Sequence, residues 1–270
     1  MPQSHAEMLI TSDDLGRTVR VPRAPQRIVS LCPSLTETLF ALGLGGQLVG
    51  RTRYCIHPAE QVSRVTDIGG TKNPRIEAIL ELEPDLVIAE KEENRPEDVA
   101  ALESDVPVYV TDVRSIPGAL AMVRRLGKLC HRSSEAEALA RQIEERWREL
   151  PQLPKPKKVA YLIWRKPWMV AGGDTYICDV LERCGLDNVF AGHTGRYPET
   201  TLEEIEKRAP EVVLLSSEPY PFKQAHVQEF ASRLPGSKVL RVDGEAFSWY
   251  GARMLPAADT LQMLLRELSS

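Results

Sequence analysis

The chain has 270 residues, 43% of them hydrophobic and 27% charged, which is enough to bury one large core or two smaller ones. Its 38 acidic and 34 basic side chains leave a formal charge of −4, which argues against the clustered basic excess of a nucleic-acid-binding surface. No stretch approaches the roughly 18 consecutive apolar residues that a membrane-spanning helix needs.

The first 27 residues hold Glu7, Asp13, Asp14 and Arg17 and no apolar stretch of the leader type. The reading is of no signal peptide and no lipid-anchor cysteine. A chain complete as given would work in the cytoplasm. One that has shed a leader would work in the periplasm or elsewhere outside the cytoplasmic membrane. Met8-Leu-Ile-Thr11 and Thr18-Val-Arg-Val21 predict a hairpin turning at Asp13-Asp-Leu-Gly16. Arg27 to Leu31 reads as a buried strand. Pro33 opens a helix in which Ser34 and Glu37 have the spacing of a capping box. Gly43 and Gly45 end that helix. They precede the strand at Leu48-Val49, so they read as helix ends rather than as a phosphate loop. Pro74 to Leu82 is an amphipathic helix, Leu86 to Ala89 a buried strand, Val106 to Val110 another strand, and Ala119 to Cys130 a helix.

Ser133 to Leu150 predicts a further helix, with serine at its start and acidic residues in its first turn. At ~1.5 Å per residue it makes a rod of roughly 27 Å. Pro151, Pro154 and Pro156 follow. The pattern then returns: a strand at Lys158 to Ile163, a helix at Thr175 to Cys184, and a helix at Glu203 to Arg208. Strands at Val212 to Leu215 and Lys238 to Val242 come next, and a helix at Pro256 to Leu268 ends the chain. Glu77 stands seven residues before Pro84, and Glu203 seven before Pro210. The expected fold is α/β, with two Rossmann-like lobes built on parallel-type sheets and joined by one long backbone helix. Residues 1–130 form the first lobe with its hairpin, 131–156 the linking helix and proline-rich lead, and 157–270 the second lobe.

Open α/β sheets take ligands beyond the carboxyl ends of their strands. In the first lobe those places are Cys32 to Ser34, Arg51 to His57 and Glu90 to Asn94. In the second they are Trp164 to Met169, Ser216 to Tyr220 and Phe247 to Arg253. Lobes that face one another would put both sets in one cleft. Trp164, Trp168, Trp249, Tyr220, Phe222 and Tyr250 concentrate in the second set, and loop aromatics suit a broad, flat or greasy ligand. The other reading makes them caps on the core ends. Arg165, Arg196 and Arg253 lie near them in sequence and could meet ligand oxygens or serve as surface arginines. Cys55 and His57, two residues apart, are the most metal-like pair. Zinc wants three or four ligands, and a buried thiol beside a surface imidazole explains the pair as well. His193 and Glu199 are candidates to complete such a site. Glu90-Lys-Glu-Glu-Asn94 reads as a solvated charge run, placed where it could also form a polar wall. The five cysteines make no CxxC spacing and read as small buried hydrophobes. Nucleophile-elbow, zinc-protease, P-loop and EF-hand patterns are all missing, which leaves no positive case for an enzyme.

Several segments in order resemble one known superfamily. They are Asp14-Leu-Gly-Arg-Thr-Val19, Pro25-Gln-Arg-Ile-Val-Ser-Leu31, Glu37 with Leu42-Gly43, Gly69-Gly70-Thr-Lys-Asn73, Glu83-Pro-Asp-Leu-Val-Ile88 and Gly172-Gly-Asp-Thr-Tyr176. From about Asp13 to Leu268 the chain is similar to the helical-backbone metal receptors, the class III substrate-binding proteins of ABC importers. Trp249-Tyr-Gly-Ala-Arg253 resembles the cobalamin-binding sub-group. The resemblance implies a non-catalytic monomer that binds a metal chelate, with no tightly bound cofactor. The ligand would be a corrinoid such as cobalamin, with a siderophore or haem as the alternative. It implies a ligand site from Tyr54, Lys72, Asn73, Glu90, Trp164, Trp168, Tyr197, Trp249, Tyr250 and Arg253. It also implies that Glu77 and Glu203 dock on arginines of an ABC permease dimer. Thr71 and Glu90 stand where the cobalamin receptors carry tryptophan, beside Lys72, Glu92 and Glu93. A different class of reading is a cytosolic metal-handling protein or enzyme using Cys55 and His57.

Overall fold

The computed structural model describes residues 8–269, which divide into two compact units. The first holds residues up to Val113 together with Ala119–Ile143; the second holds Arg114–Gly118 and Glu144 onward.

In the first unit, β1 (Met8–Ser12) and β2 (Thr18–Pro22) form the expected antiparallel hairpin. A parallel sheet follows, made of β3 (Ile28–Ser30), β4 (Leu48–Arg51), β5 (Thr66–Asp67), β6 (Leu86–Glu90) and β7 (Val108–Thr111). The helices between them are α1 (Pro33–Ala41), α2 (Ala59–Val62), α3 (Ile76–Glu81) and α4 (Pro96–Glu103). Next come α5 (Ile116–Leu129) and α6 (Ser133–Arg148), each with residues counted in both units. The strand order β5-β4-β3-β6-β7 turns back between β3 and β6. Loops at such a reversal diverge and leave room for a ligand. Every residue of β6 is buried, as expected of an unbroken apolar run in a parallel sheet. Gly127 lets α5 and α6 approach closely: a Cβ there would lie 2.3 Å from the Ala136 Cβ.

The second unit is built on β8 (Lys157–Trp164), β9 (Trp168–Val170), β10 (Leu186–Asn188), β11 (Glu199–Thr200), β12 (Val212–Ser216) and β13 (Lys238–Val242). The spine β10-β8-β12-β13 is parallel, while β9 and β11 add antiparallel pairs at the far end of β8. The sheet turns back between β8 and β12. Helices α7 (Tyr176–Arg183), α8 (Leu202–Arg208), α9 (Gln224–Arg233), α10 (Glu245–Ser248) and α11 (Met254–Ser269) complete the unit. The α7 start is capped as its sequence implies, with the Thr175 hydroxyl accepting from the Cys178 amide at 3.1 Å.

The internal repeat is visible at the foot of each central strand. Asp85, just after Pro84, accepts the Gln26 and Arg27 amides at 2.7 and 2.9 Å beside β3. Glu211, just after Pro210, accepts the Lys158 amide at 2.9 Å in β8.

Two local expectations are corrected. The capping box at Ser34 and Glu37 does not form. Pro33 is already the first residue of α1, Cys32 flanks it, and no side chain caps it. Proline has no N–H to satisfy, so the helix begins there without a cap. The charge run Glu90–Asn94 is not simply solvated, because Glu90 and Asn94 at its two ends are both buried.

Candidate ligand-binding site

In the first unit the loops beyond the strands are tied together by backbone and buried polar groups. The 51–57 and 67–75 segments pair through Arg53 N to Gly69 O at 2.8 Å and Arg75 N to Ile68 O at 2.7 Å. Gly69 sits at φ +107°, and a Cβ there would lie 2.9 Å from the Asn73 carbonyl, so the tight turn into Asn73 demands glycine. Tyr54 lies against Gly70 and is well exposed, as are Lys72 and Asn73. The Lys72 ammonium donates to the Glu92 carbonyl.

Beneath that rim lies a buried polar layer. The Thr36 hydroxyl contacts the Ser30 hydroxyl at 2.8 Å and the Cys55 thiol at 3.1 Å, and Thr52 reaches the same thiol at 3.2 Å. Burial pushes the Cys55 and Cys32 thiols up, away from the thiolate a metal would take. Among the described residues, no group of three or more His, Cys, Asp and Glu side chains is placed to hold a metal ion. His57 is partly exposed. Glu90 is 3% exposed; its Oε2 accepts the amides of Glu92 and Glu93 at 2.7 and 2.9 Å. Burial raises its pKa to about 7; the two amides oppose that shift, and the charges of Glu93 and Glu92 add to it.

In the second unit the same topological place is aromatic. Trp164, at the end of β8, is 39% exposed and meets Tyr220, from the loop after β12, edge to face with ring centres 5.7 Å apart. Tyr220 continues onto Phe222 at 4.8 Å and His226 at 5.6 Å. Burial, with the nearby Arg165 charge, holds the His226 imidazole below its ordinary pKa. Trp168 turns the other way, stacked on Phe222 and edge-on to Phe230 at 5.1 Å. Arg165 covers its ring at 5.2 Å and pairs with Glu229 at 3.0 Å. Trp168 therefore serves the core as much as the surface. Trp249 is also largely buried, with the Arg253 guanidinium 5.7 Å over its ring and Glu245 3.6 Å from Arg253. Tyr250 is buried against Tyr176 at 5.6 Å. Tyr197 is partly buried near the interior Tyr161. The Ser248 hydroxyl donates to Glu218 at 2.6 Å, which joins α10 to the loop after β12.

The expected residues thus fall into separate groups. Tyr54, Lys72 and Asn73 form an exposed rim in one unit, with Glu90 beneath it. Trp164 is the presented indole of the other unit; Trp249 and Tyr250 are buried, and Arg253 covers the Trp249 ring. Sequence reasoning gave no individual role to Asn94 or His226. Asn94 sat inside a run of charges, and His226 in a helix the pattern did not reveal. Of the two glutamates singled out by their spacing, Glu77 is exposed in the first turn of α3, and Glu203, in the first turn of α8, lies 3.3 Å from Arg233.

The sequence model of the periplasmic binding protein family matches residues 28–237. The vitamin B12-binding protein of Pectobacterium atrosepticum is 26% identical over 253 residues, covering 90% of each chain. In fold, the chain is similar to the periplasmic vitamin B12-binding protein of Vibrio cholerae, with a TM-score of 0.74 and 22% identity over 90% of this chain and 97% of that one. It is also similar to a periplasmic haem-binding protein from Roseiflexus sp. RS-1, with a TM-score of 0.77 and 23% identity over 91% and 99%.

Proposed function

The chain belongs to the periplasmic binding protein family, and from that premise we propose that it captures a corrinoid, cobalamin foremost, and hands it unchanged to an ABC importer. The observation that carries the reading is the Trp164–Tyr220 pair. It spans the strand reversal of the second unit and presents an exposed indole beside a phenol. A corrinoid is a broad macrocycle fringed with amides. An aromatic edge supplies dispersion area at little entropic cost, and polar groups supply orientation. Tyr54, Lys72 and Asn73 are further proposed contacts, since they stand exposed on the interlocked strand-end loops of the first unit. The vitamin B12-binding relative, matched along nine-tenths of both chains, supports the choice of ligand. The protein acts as a monomer with no resident cofactor. Periplasmic relatives support a place of action outside the cytoplasmic membrane, which fractionation of the native cells tests.

Glu77 and Glu203 are the proposed contacts with the permease. Each lies in the first turn of a helix that leads into a strand beside the reversal, so a two-fold symmetric partner would meet equivalent carboxylates. Glu77→Arg with Glu203→Arg should abolish stimulation of the cognate transporter and leave ligand affinity intact. Stimulation at the wild-type level would rule the docking out.

Titration with cyanocobalamin, haemin and a ferric siderophore, followed by tryptophan fluorescence, tests the ligand. Saturable quenching by cyanocobalamin is expected. Quenching by haemin or the siderophore alone would move the assignment to that chelate, and silence toward all three would refute the receptor reading.

A further inference from the structure

The strand reversal of the first unit is bridged by a residue the binding reading does not use. Asn94 is 3% exposed. Its Oδ1 accepts the Glu90 amide at 2.8 Å, while its Nδ2 donates to the Leu31 carbonyl at 3.1 Å and the Thr71 carbonyl at 3.0 Å. One side chain therefore holds the end of β6, the residue just past β3, and the loop that presents Lys72 and Asn73. Glu90 organises the same segment from below, through the two amides on its Oε2. The Lys72 ammonium lands on the carbonyl of Glu92, whose amide Glu90 holds.

We propose that Glu90 and Asn94 are a positioning latch, which sets the Thr71–Asn73 rim and couples the grip on ligand to the ionisation of the Glu90 carboxylate. The inference rests on the chelate-binding reading above. Protonated, Glu90 sits in its buried seat at no electrostatic cost and keeps the 91–94 turn closed under Lys72. Ionised, it is a buried charge beside Glu92 and Glu93 that is relieved by moving toward water, so the turn loosens and Asn94 passes the slack to Thr71. Several groups face this carboxylate. Glu92 and Glu93 on its own loop disfavour its charge. Cys32, following β3, interacts with it and is kept neutral by burial; Cys55 lies behind Cys32 and is also kept neutral. Lys72 comes from the Gly69–Pro74 loop, and Lys91 is turned to Asp112 at 2.9 Å. With its pKa at about 7, the switch falls near neutrality. Ligand that prefers the closed, protonated form must take up a proton on binding across that range.

The test uses Glu90→Gln and Asn94→Asp in the full chain, with two readouts. In ligand-free wild type, the amide resonances of Glu92 and Glu93 should titrate together near neutrality. They should be flat in Glu90→Gln and still titrate in Asn94→Asp. Cyanocobalamin should bind wild type at least about threefold more tightly at about pH 5.5 than at about pH 8.5. Both variants should lose that difference, Glu90→Gln binding as wild type does in acid and Asn94→Asp, which cannot donate to Leu31 and Thr71, binding as wild type does at high pH. Flat wild-type amides, or a Glu90→Gln variant that keeps the wild-type pH profile, would overturn the latch. Failure of wild type to bind cyanocobalamin at either pH would instead fall on the functional reading, and the amide titration would still decide whether the latch exists.

Discussion

The two units meet the same topological situation with opposite chemistry. In the first, the reversal between β3 and β6 is closed by an amide side chain and a buried carboxylate, with thiols and hydroxyls beneath. In the second, the reversal between β8 and β12 is closed by an indole against a phenol. Buried polar groups must all be satisfied, so the first arrangement is specific in geometry and intolerant of change. Aromatic contacts are non-directional by comparison, so the second tolerates variation and supplies area.

The contrast breaks most sharply under substitutions that treat the two sites alike. Trp168→Ala should cost about 3 kcal/mol in urea unfolding, since it empties a stack shared with Phe222 and Phe230. A loss below about 1 kcal/mol would show that Trp168 belongs to the surface. Asn94→Ala should cost roughly 2–3 kcal/mol, because three buried backbone groups lose their partner at once. Equal costs for Asn94→Ala and Trp164→Ala would erase the distinction between the units.

Glu90→Gln sharpens the contrast through pH. An acid whose folded pKa lies above its unfolded value binds more protons folded than unfolded between the two. Stability contributed by that group therefore falls as pH rises from 4.5 toward about 7, and stays low above it. Relative to Glu90→Gln, wild type should lose on the order of 2 kcal/mol across that window. Parallel stability curves for the two proteins would refute a titrating buried carboxylate. Trp164→Ala should have the smallest effect on stability, under about 1 kcal/mol, because its ring is substantially exposed.

Much of this architecture was legible in the sequence, and the exceptions share a cause. The unbroken apolar runs of β6 and β12, the hairpin, and the glutamate–proline spacing of α3 and α8 are all local signals. Helix α4 was missed because Pro96 opens it straight after a charge run and its apolar residues are few. The two- and three-residue strands β5, β9 and β11 are too short for any period to show. At the site, composition alone revealed the aromatic loops but could not say which indole is presented. Trp249 is covered by Arg253, and Trp168 is turned toward Phe230. Asn94 was illegible for a stronger reason: its partners Leu31 and Thr71 lie 63 and 23 residues away. A buried amide is identified by what it joins.

The most direct test is the isotherm of cyanocobalamin binding to wild type and to Trp164→Ala, with thermal midpoints measured alongside. Saturable one-to-one binding that weakens at least about tenfold in the variant, at an unchanged midpoint, is the predicted result. Equal affinity in the two proteins would contradict an aromatic edge that carries the ligand.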